Sequence, residues 1–269
     1  MIVAHEAPLH LMDWVRRHTD YDYALVHLFE DPAHGKEYYD FFVDSLNMGR
    51  TVILDNSIFE LGKAFDMEKF LEWVVQLRPT EYIIPDVLDD MEGTLENVEK
   101  WRKLSSGYKL DRTSIGVVQG KTFGDMMECY KGLLPYCDKI AISFNCEAYS
   151  EYFNQKGIWL PKEHAWMYGR VQFMNLLMRE RFFDPNVPIH LLGLALPQEL
   201  LYYRYCTSIK SVDSSSPIMH GLEGITYGSY GLDSKVPKPV KDVMWTDNVS
   251  PEQLAVIREN MKIFRTFIE

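Results

Sequence analysis

The strongest constraint on the fold is a short apolar run followed by a helical stretch, repeated along the whole chain. Apolar runs fall at residues 2–4, 23–29, 51–54, 81–84, 114–118, 139–142, 189–192 and 208–212. They are rich in Val and Ile and do not alternate strictly with polar residues. Parallel strands buried on both faces read this way, because neither face meets water. Between them lie helical patterns at 68–77, 91–104, 123–134, 166–182 and 198–205, with a last one at 251–267. In 68–77, Phe70, Trp73, Val74 and Leu77 share one face. Ser250 is placed to cap the last helix with Pro251 at its first position, and Pro197 starts the helix before it. Eight strands alternating with helices in 269 residues predict an α/β fold, a (β/α)8 TIM barrel, as one domain over residues 1–269. An open doubly wound sheet is the alternative, but no GxGxxG follows the first strand. Residues 145–165 carry Asn, Gly, Pro and aromatics without periodicity and are read as a small insertion.

The net charge of −11 argues against a broad, sequence-independent nucleic-acid surface. A local basic stripe remains open: Lys156, Lys162 and Arg170, with Arg179 and Arg181, interleaved with Trp159, Trp166 and Tyr168. An insertion packed on the barrel explains the same residues. No run of eighteen apolar residues marks a membrane span, and the N-terminal residues lack the basic and apolar regions of a secretory signal. Cys129, Cys137, Cys146 and Cys206 show no CxxC spacing, which fits a reduced, cytoplasmic compartment and no cysteine-based metal site. The histidines show no HxH or HExxH spacing. His27 follows an apolar run and is either a rim residue or a core histidine.

In a barrel of this class the chemistry lies where strands end. The third run ends in Asp55-Asn56-Ser57-Ile58-Phe59-Glu60, the fourth in Pro85-Asp86, the fifth in Gln119-Gly120 and the sixth in Ser143-Phe144-Asn145. The seventh ends in Gly193-Leu194-Ala195 and the eighth in Asp213. A turn aspartate is ordinary at any one of these ends, but three aspartates and a glutamine on one rim form a candidate site. One carboxylate can act as nucleophile while another moves protons. A third carboxylate and an amide can read the edges of a planar heterocycle, and Phe59 can cover its face. That set suits substitution at a glycosidic carbon bearing a nucleobase, by the logic of a retaining glycosidase.

These residues resemble the tRNA-guanine transglycosylase superfamily. The family's Asp-Ser-Gly-Gly-Phe-Gln stretch is similar in spacing to residues 55–60, and its Gly-Ile-Val-Gln-Gly to Gly116-Val117-Val118-Gln119-Gly120. Its Leu-Met-Gly-Val-Gly resembles residues 191–195. Its nucleophile, an Asp with Pro four residues on, resembles Asp213 and Pro217. The resemblance implies that Asp213 attacks C1′ and expels guanine, and that Asp55 is general base toward an incoming 7-deazaguanine. Phe59 then stacks on the base, and Asp86, Gln119 and Gly120 meet its edges. Backbone at Ser143, Gly193 and Leu194 lies close to it. The Cys-x-Cys-x-x-Cys zinc element of the tRNA enzymes has no counterpart here, and Ser143-Phe144 replaces a Gly-Gly pair. The chain therefore looks most like the zinc-less phage and bacterial enzymes that place 7-deazaguanines in DNA. This implies no metal, no cofactor, and as partners guanine-containing DNA and a free preQ0-like base. It also implies the cytoplasm of a bacterium or phage-infected host, and leaves a homodimer open. A tRNA substrate, a nucleoside hydrolase and a non-catalytic base- or nucleic-acid-binding subunit are the competing readings.

Overall fold

A computed structural model describes residues 1–238 and 240–269. Eight parallel strands alternate with helices in a nearly closed (β/α)8 barrel: β1 Ile2–Ala4, β2 Asp22–Leu25, β3 Val52–Asp55, β4 Glu81–Ile83, β5 Thr113–Val118, β6 Lys139–Ser143, β7 Ile189–Leu192 and β8 Ile209–Asp213. The strand order is β1-β8-β7-β6-β5-β4-β3-β2. At the seam between β1 and β2 a side chain takes the place of a ladder. The Asp20 N–H donates to the Val3 carbonyl and the Val3 N–H donates to Asp20 Oδ2, both at 2.9 Å.

The helices are α1 Leu9–Val15, α2 Gly35–Asn47, α3 Ile58–Leu61, α4 Met67–Leu77, α5 Met91–Ser105, α6 Phe123–Leu133, α7 Glu147–Asn154, α8 Lys162–Leu177, α9 Ser216–Leu222 and α10 Pro251–Thr266. Among the described residues no helix is long and apolar enough to cross a membrane. The predicted start of α10 holds: Ser250 and Gln253 form a reciprocal capping box with Pro251 in the first turn. All four cysteines are free.

Three sequence expectations are corrected. The run at 23–29 is not one strand. β2 stops at Leu25, whose N–H goes to the Tyr38 hydroxyl at 3.1 Å, and Val26–Glu30 winds into a 3-10 helix. Continuous hydrophobicity persists across that turn because both parts are buried. Residues 198–205 likewise form a 3-10 helix, Pro197–Tyr203. Residues 145–165 are not irregular: they hold α7, a left-handed turn at Gly157 (φ 69°) and the start of α8. Periodicity is weak in α8 because it is sandwiched: Trp166, Met167, Gly169, Arg170, Val171, Phe173 and Met174 are all buried.

The α7–α8 contact depends on Gly169. A Cβ there would lie 2.2 Å from Tyr149 Cβ and 2.8 Å from Tyr149 Cα, so one helix must move. Gly169→Ala is expected to cost about 1–3 kcal/mol, the usual penalty of overpacking. Gly124→Ala in α6 meets only Thr122 Oγ1, at 3.5 Å, and is expected to be neutral or to gain up to about 1 kcal/mol of helix propensity. Urea unfolding of the two variants checks both signs.

Candidate active site

Successive residues of a barrel strand face alternately inward and outward. Tyr23 of β2 and His190 of β7 both point inward, and with β1 and β8 between their strands their rings meet in the barrel interior. The centroids are 6.3 Å apart and the planes 18° from parallel. Each ring holds one of the predicted aspartates. The Tyr23 hydroxyl donates to Asp55 Oδ2 at 2.5 Å, and the Ser57 N–H donates to the other oxygen. Ser57 reaches that position through a left-handed backbone, φ 60°, uncommon for a residue with a Cβ and characteristic of sites that over-determine it.

At the other ring, His190 Nε2 and the Gly193 N–H both meet Asp213 Oδ1 at 3.0 Å. His190 Nδ1 lies 2.9 Å from Ser211 Oγ. With the serine hydroxyl donating to Nδ1, Nε2 is the ring nitrogen that donates to Asp213. Oδ1 therefore receives two donors, whereas Oδ2 has no partner among the described residues. The same strand ends are fixed by the backbone: Leu194 N–H donates to the Asp213 carbonyl (2.9 Å), and Ser214 N–H to Ala4 (3.1 Å). Gly193 has φ 63°, a left-handed conformation that glycine adopts without strain.

Asp55 is buried among acids. Burial first, then the charge of Glu60, pushes its carboxyl up to about 8 against the pull of its hydrogen bonds from Tyr23 and Ser57. Glu60 is itself raised by burial and by Asp213. Glu6 is raised well above the carboxylate range by burial and by the charges of Asp213, Glu60 and Asp55. So many carboxyl groups in one barrel mouth cannot all ionise together at neutral pH.

Asp86 and Gln119 form a second cluster. Asp86 is buried and accepts from Asn56 Nδ2 at 2.8 Å and from Gln119 Nε2 at 2.6 Å. The carbonyl end of Gln119 accepts from the Asp89 N–H at 3.0 Å. Burial raises the Asp86 carboxyl as well. Both predicted base-reading groups thus have partners within the protein, and reading a base requires the Gln119 amide to change them. Beside Asp86 a cleft of about 480 Å³ opens between the segment after α3 and the start of the β4–α5 connection, walled by Ile58, Phe65, Met67 and Leu88 with Lys63 and Lys100 at its edge.

Phe59 is half exposed on α3. Lys235 Nζ stands 5.6 Å from its ring centroid and 6.0 Å from that of Trp166, and Lys241 Nζ donates to the Glu60 carbonyl at 2.8 Å. The segment after α9 therefore reaches back to the mouth with two cations. Gly120 sits where a Cβ would meet the Met126 backbone N at 2.8 Å, which fixes it against the start of α6. Leu194 is buried, and the Ser143 hydroxyl lies 3.5 Å from the Asn145 carbonyl.

The basic stripe loses Arg170 and Trp166 to the interior but keeps Lys156, Lys162, Arg179 and Arg181 at the surface. Arg170 is fully buried in an ion pair with Glu199, and Trp166 is buried too. Lys162 pairs with Glu147 at 3.1 Å, and Lys156, in the turn after α7, lies over the Tyr152 ring. Only Trp159 of the expected stacking residues is largely exposed. His27 is partly buried in the 3-10 helix, its Nδ1 without a partner, and burial and then Lys241 push it down to about 4.

Sequence reading missed Tyr23, His190, Ser211, Asn56, Glu60 as an acid in the site, and Glu6. The usable signal was the two-residue spacing of Ser211 and Asp213, which puts both on one strand face. Among the described residues no three His, Cys, Asp or Glu side chains gather as a metal-holding group. No protein-family model and no curated protein matches the chain.

The raised Asp55 has a measurable consequence. Its stability contribution is complete below the ordinary carboxylate pKa of 3.8 and is lost as pH rises through about 8. Carbon-13 NMR of the Asp55 carboxyl is expected to show a midpoint near 8, moving down in Glu60→Gln. Asp55→Asn is expected to remove a part of the pH dependence of unfolding between those limits, of order a few kcal/mol. An Asp55 midpoint near 4 would contradict the burial argument.

Proposed function

We propose that the chain is a transglycosylase that exchanges guanine in DNA for a 7-deazaguanine, through a covalent bond between Asp213 and C1′. The observation that carries this reading is the asymmetry of Asp213, with Oδ1 held by two donors and Oδ2 free, in the same barrel mouth as a carboxyl that favours its protonated form. In the first half-reaction Asp213 Oδ2 attacks C1′ as the C1′–N9 bond breaks. The bond's electron pair leaves with the base, which takes the Asp55 proton. In the second, the Asp55 carboxylate so formed removes the N9 proton of the incoming base. N9 then attacks C1′, the C1′–Oδ2 bond breaks, and both carboxyl groups return to their starting states. Asp55 thus acts as acid and then as base, which extends the base-only role implied by the resemblance.

Local backbone supports the family likeness. Ser57, at the position of a family glycine, has the left-handed φ of 60° that a glycine would adopt freely, and Gly193 keeps a φ of 63°. Phe59 is exposed enough to stack on a base, and Lys235 and Lys241 are the cations nearest a phosphate at the mouth. Attack at C1′ requires the target nucleotide to leave the stack, at a cost of about a few kcal/mol. DNA is preferred to tRNA because the zinc element of the tRNA enzymes is missing. The tRNA substrate and the non-catalytic binding subunit stand as alternatives.

One observation favours a second reading. Gln119 has both ends of its amide engaged, which suits a nucleoside hydrolase that reads no second base and resolves the intermediate with water.

The test incubates the protein with duplex DNA, single-stranded DNA or tRNA and labelled preQ0. Label is expected in DNA, with Asp213→Ala lowering the rate by at least about 10³-fold, in the range of nucleophile removal, and Asp55→Ala by about 10²–10⁴-fold, the usual worth of acid–base catalysis. Guanine release without label uptake selects the hydrolase, and label in tRNA alone selects the tRNA enzyme. With neither uptake nor release, the catalytic reading fails.

The pH profile is a separate prediction. The first half-reaction needs Asp55 protonated, so single-turnover guanine release is expected to fall as pH rises through about 8. Asp55→Asn is expected to remove that alkaline limb from whatever slow rate remains.

A further inference from the structure

We propose that the buried Arg170–Glu199 pair is a positioning device for Asp213, setting the loops after β6 and β7 that the site is built on. The inference rests on the transglycosylase reading for what the positioning serves, and on geometry alone for its existence. Arg170 lies in α8 and Glu199 in the 3-10 helix after β7, and neither side chain has exposed surface. The guanidinium meets Glu199 in a fork: Nε to Oε1 at 2.7 Å and Nη2 to Oε2 at 2.9 Å. The Tyr203 hydroxyl donates to Oε1 at 2.9 Å. The remaining arm, Nη1, donates to the carbonyls of Ile142 at 3.1 Å, Leu192 at 3.0 Å and Gly193 at 3.5 Å.

Those three carbonyls lie at the ends of β6 and β7. The Leu192 carbonyl also receives the Phe144 N–H at 2.8 Å, so one oxygen joins the loop after β6 to the end of β7. The next residue is Gly193, whose N–H is one of the two donors on Asp213 Oδ1. Turning the 192–193 peptide by a small angle moves that N–H away from the carboxylate. Arg170 grips this peptide by its own carbonyl, that of Leu192, and reaches the next one through the Gly193 carbonyl. The guanidinium also sits 5.1 Å from the Phe144 ring centroid, fixing the residue that follows Ser143.

Stability alone is a poor reason for this pair. Burying two charges is costly, and apolar residues of similar volume often serve folding as well or better. A planar fork with donors to spare does what they cannot: it satisfies three strand-end carbonyls at fixed angles.

The test separates folding from positioning. Arg170→Met/Glu199→Leu replaces both charges by apolar chains, and thermal unfolding reports whether the fold is kept. Hydrogen exchange at the Gly193 amide and the His190 imidazole signals then report the geometry around Asp213 without any substrate. The expected result is a melting temperature near wild type, Gly193 exchange at least about 10-fold faster, and kcat for base exchange about 10²-fold lower with KM within about 2-fold, the scale of a misplacement near 1 Å. Arg170→Lys, which keeps the charge but not the fork, is expected to fall between the double variant and wild type in both readouts. A folded double variant with wild-type Gly193 protection and wild-type kcat overturns the proposal. Should the double variant not fold, Arg170→Lys with wild-type protection and kcat overturns it equally. If the wild-type protein exchanges no base in any nucleic acid, the transglycosylase reading fails, and the Gly193 and His190 signals alone decide the positioning claim.

Discussion

Two rings facing each other in the barrel interior, Tyr23 and His190, are the contact on which the candidate site depends. The rings share an apolar face and each turns a polar edge toward one aspartate. This joins two demands that usually conflict. The barrel interior must be filled by side chains to be stable, yet chemistry needs acids with controlled proton affinity at its mouth. An aromatic ring with one donor serves both. Its face completes the packing, and its donor supplies the hydrogen bond without which a buried carboxylate is too costly. The two rings do not act alike. Tyr23 faces a carboxyl group held among other acids, where hydrogen bonds only partly offset burial and repulsion. His190 is oriented from behind by Ser211 and meets a carboxyl oxygen that also has a backbone donor. Two aspartates of the same chemistry thus receive different surroundings, the condition under which paired carboxyl groups can divide acid and nucleophile roles.

The fold was legible because it is written in short-range order. Buried parallel strands leave continuous apolar runs and the helices between them leave stripes, so eight repeats specify the barrel. The residues at strand ends were legible for the same reason: Asp55, Asp86, Gln119, Gly193 and Asp213 are where apolar runs stop. What was hidden depends on direction. His190 lies inside the run 189–192, and nothing in a doubly buried strand tells its inward residues from its outward ones. Tyr23 reads as an ordinary core aromatic until β7 is known to face it. Arg170 resembled surface charge because its partner, Glu199, is twenty-nine residues away, on another element. Glu6 escaped because it lies two residues past a three-residue strand, where an acid is usually just a solvated end. The expectation that Asp86 and Gln119 wait with free hydrogen-bonding edges was also beyond the sequence, since their engagement with each other and with Asn56 depends on three adjacent strands coming into register.

The electrostatic picture resolves a tension in the composition. A chain of charge −11 is a poor general polyanion binder, and the burial of Arg170 takes one cation out of the expected basic stripe. The cations that face the mouth come instead from the segment after α9, through Lys235 and Lys241. Their placement against Phe59 and the Glu60 backbone sets positive charge beside a cluster of carboxyl groups. A polyanion approaching the mouth would meet favourable charge at this place. That arrangement favours selective engagement over broad affinity.

The seam between β1 and β2 also sets the order in which the molecule is made. β1 precedes the other described strands, yet among the described residues its one ladder is with β8, and the bond from His5 to the Ser214 carbonyl spans 209 residues of chain. Closing so long a loop is entropically expensive and comes late in folding. During synthesis β1 waits without its ladder until β8 has emerged. The Asp213 end of β8 is anchored to Ala4 by the same closure. The barrel mouth is therefore completed in the last step of folding, and a truncated or stalled chain holds the aspartates of β3 and β4 without their counterpart. Such fragments lack the Asp213 end of the mouth, so the topology itself assembles this cluster of carboxyl groups only once β8 is in place.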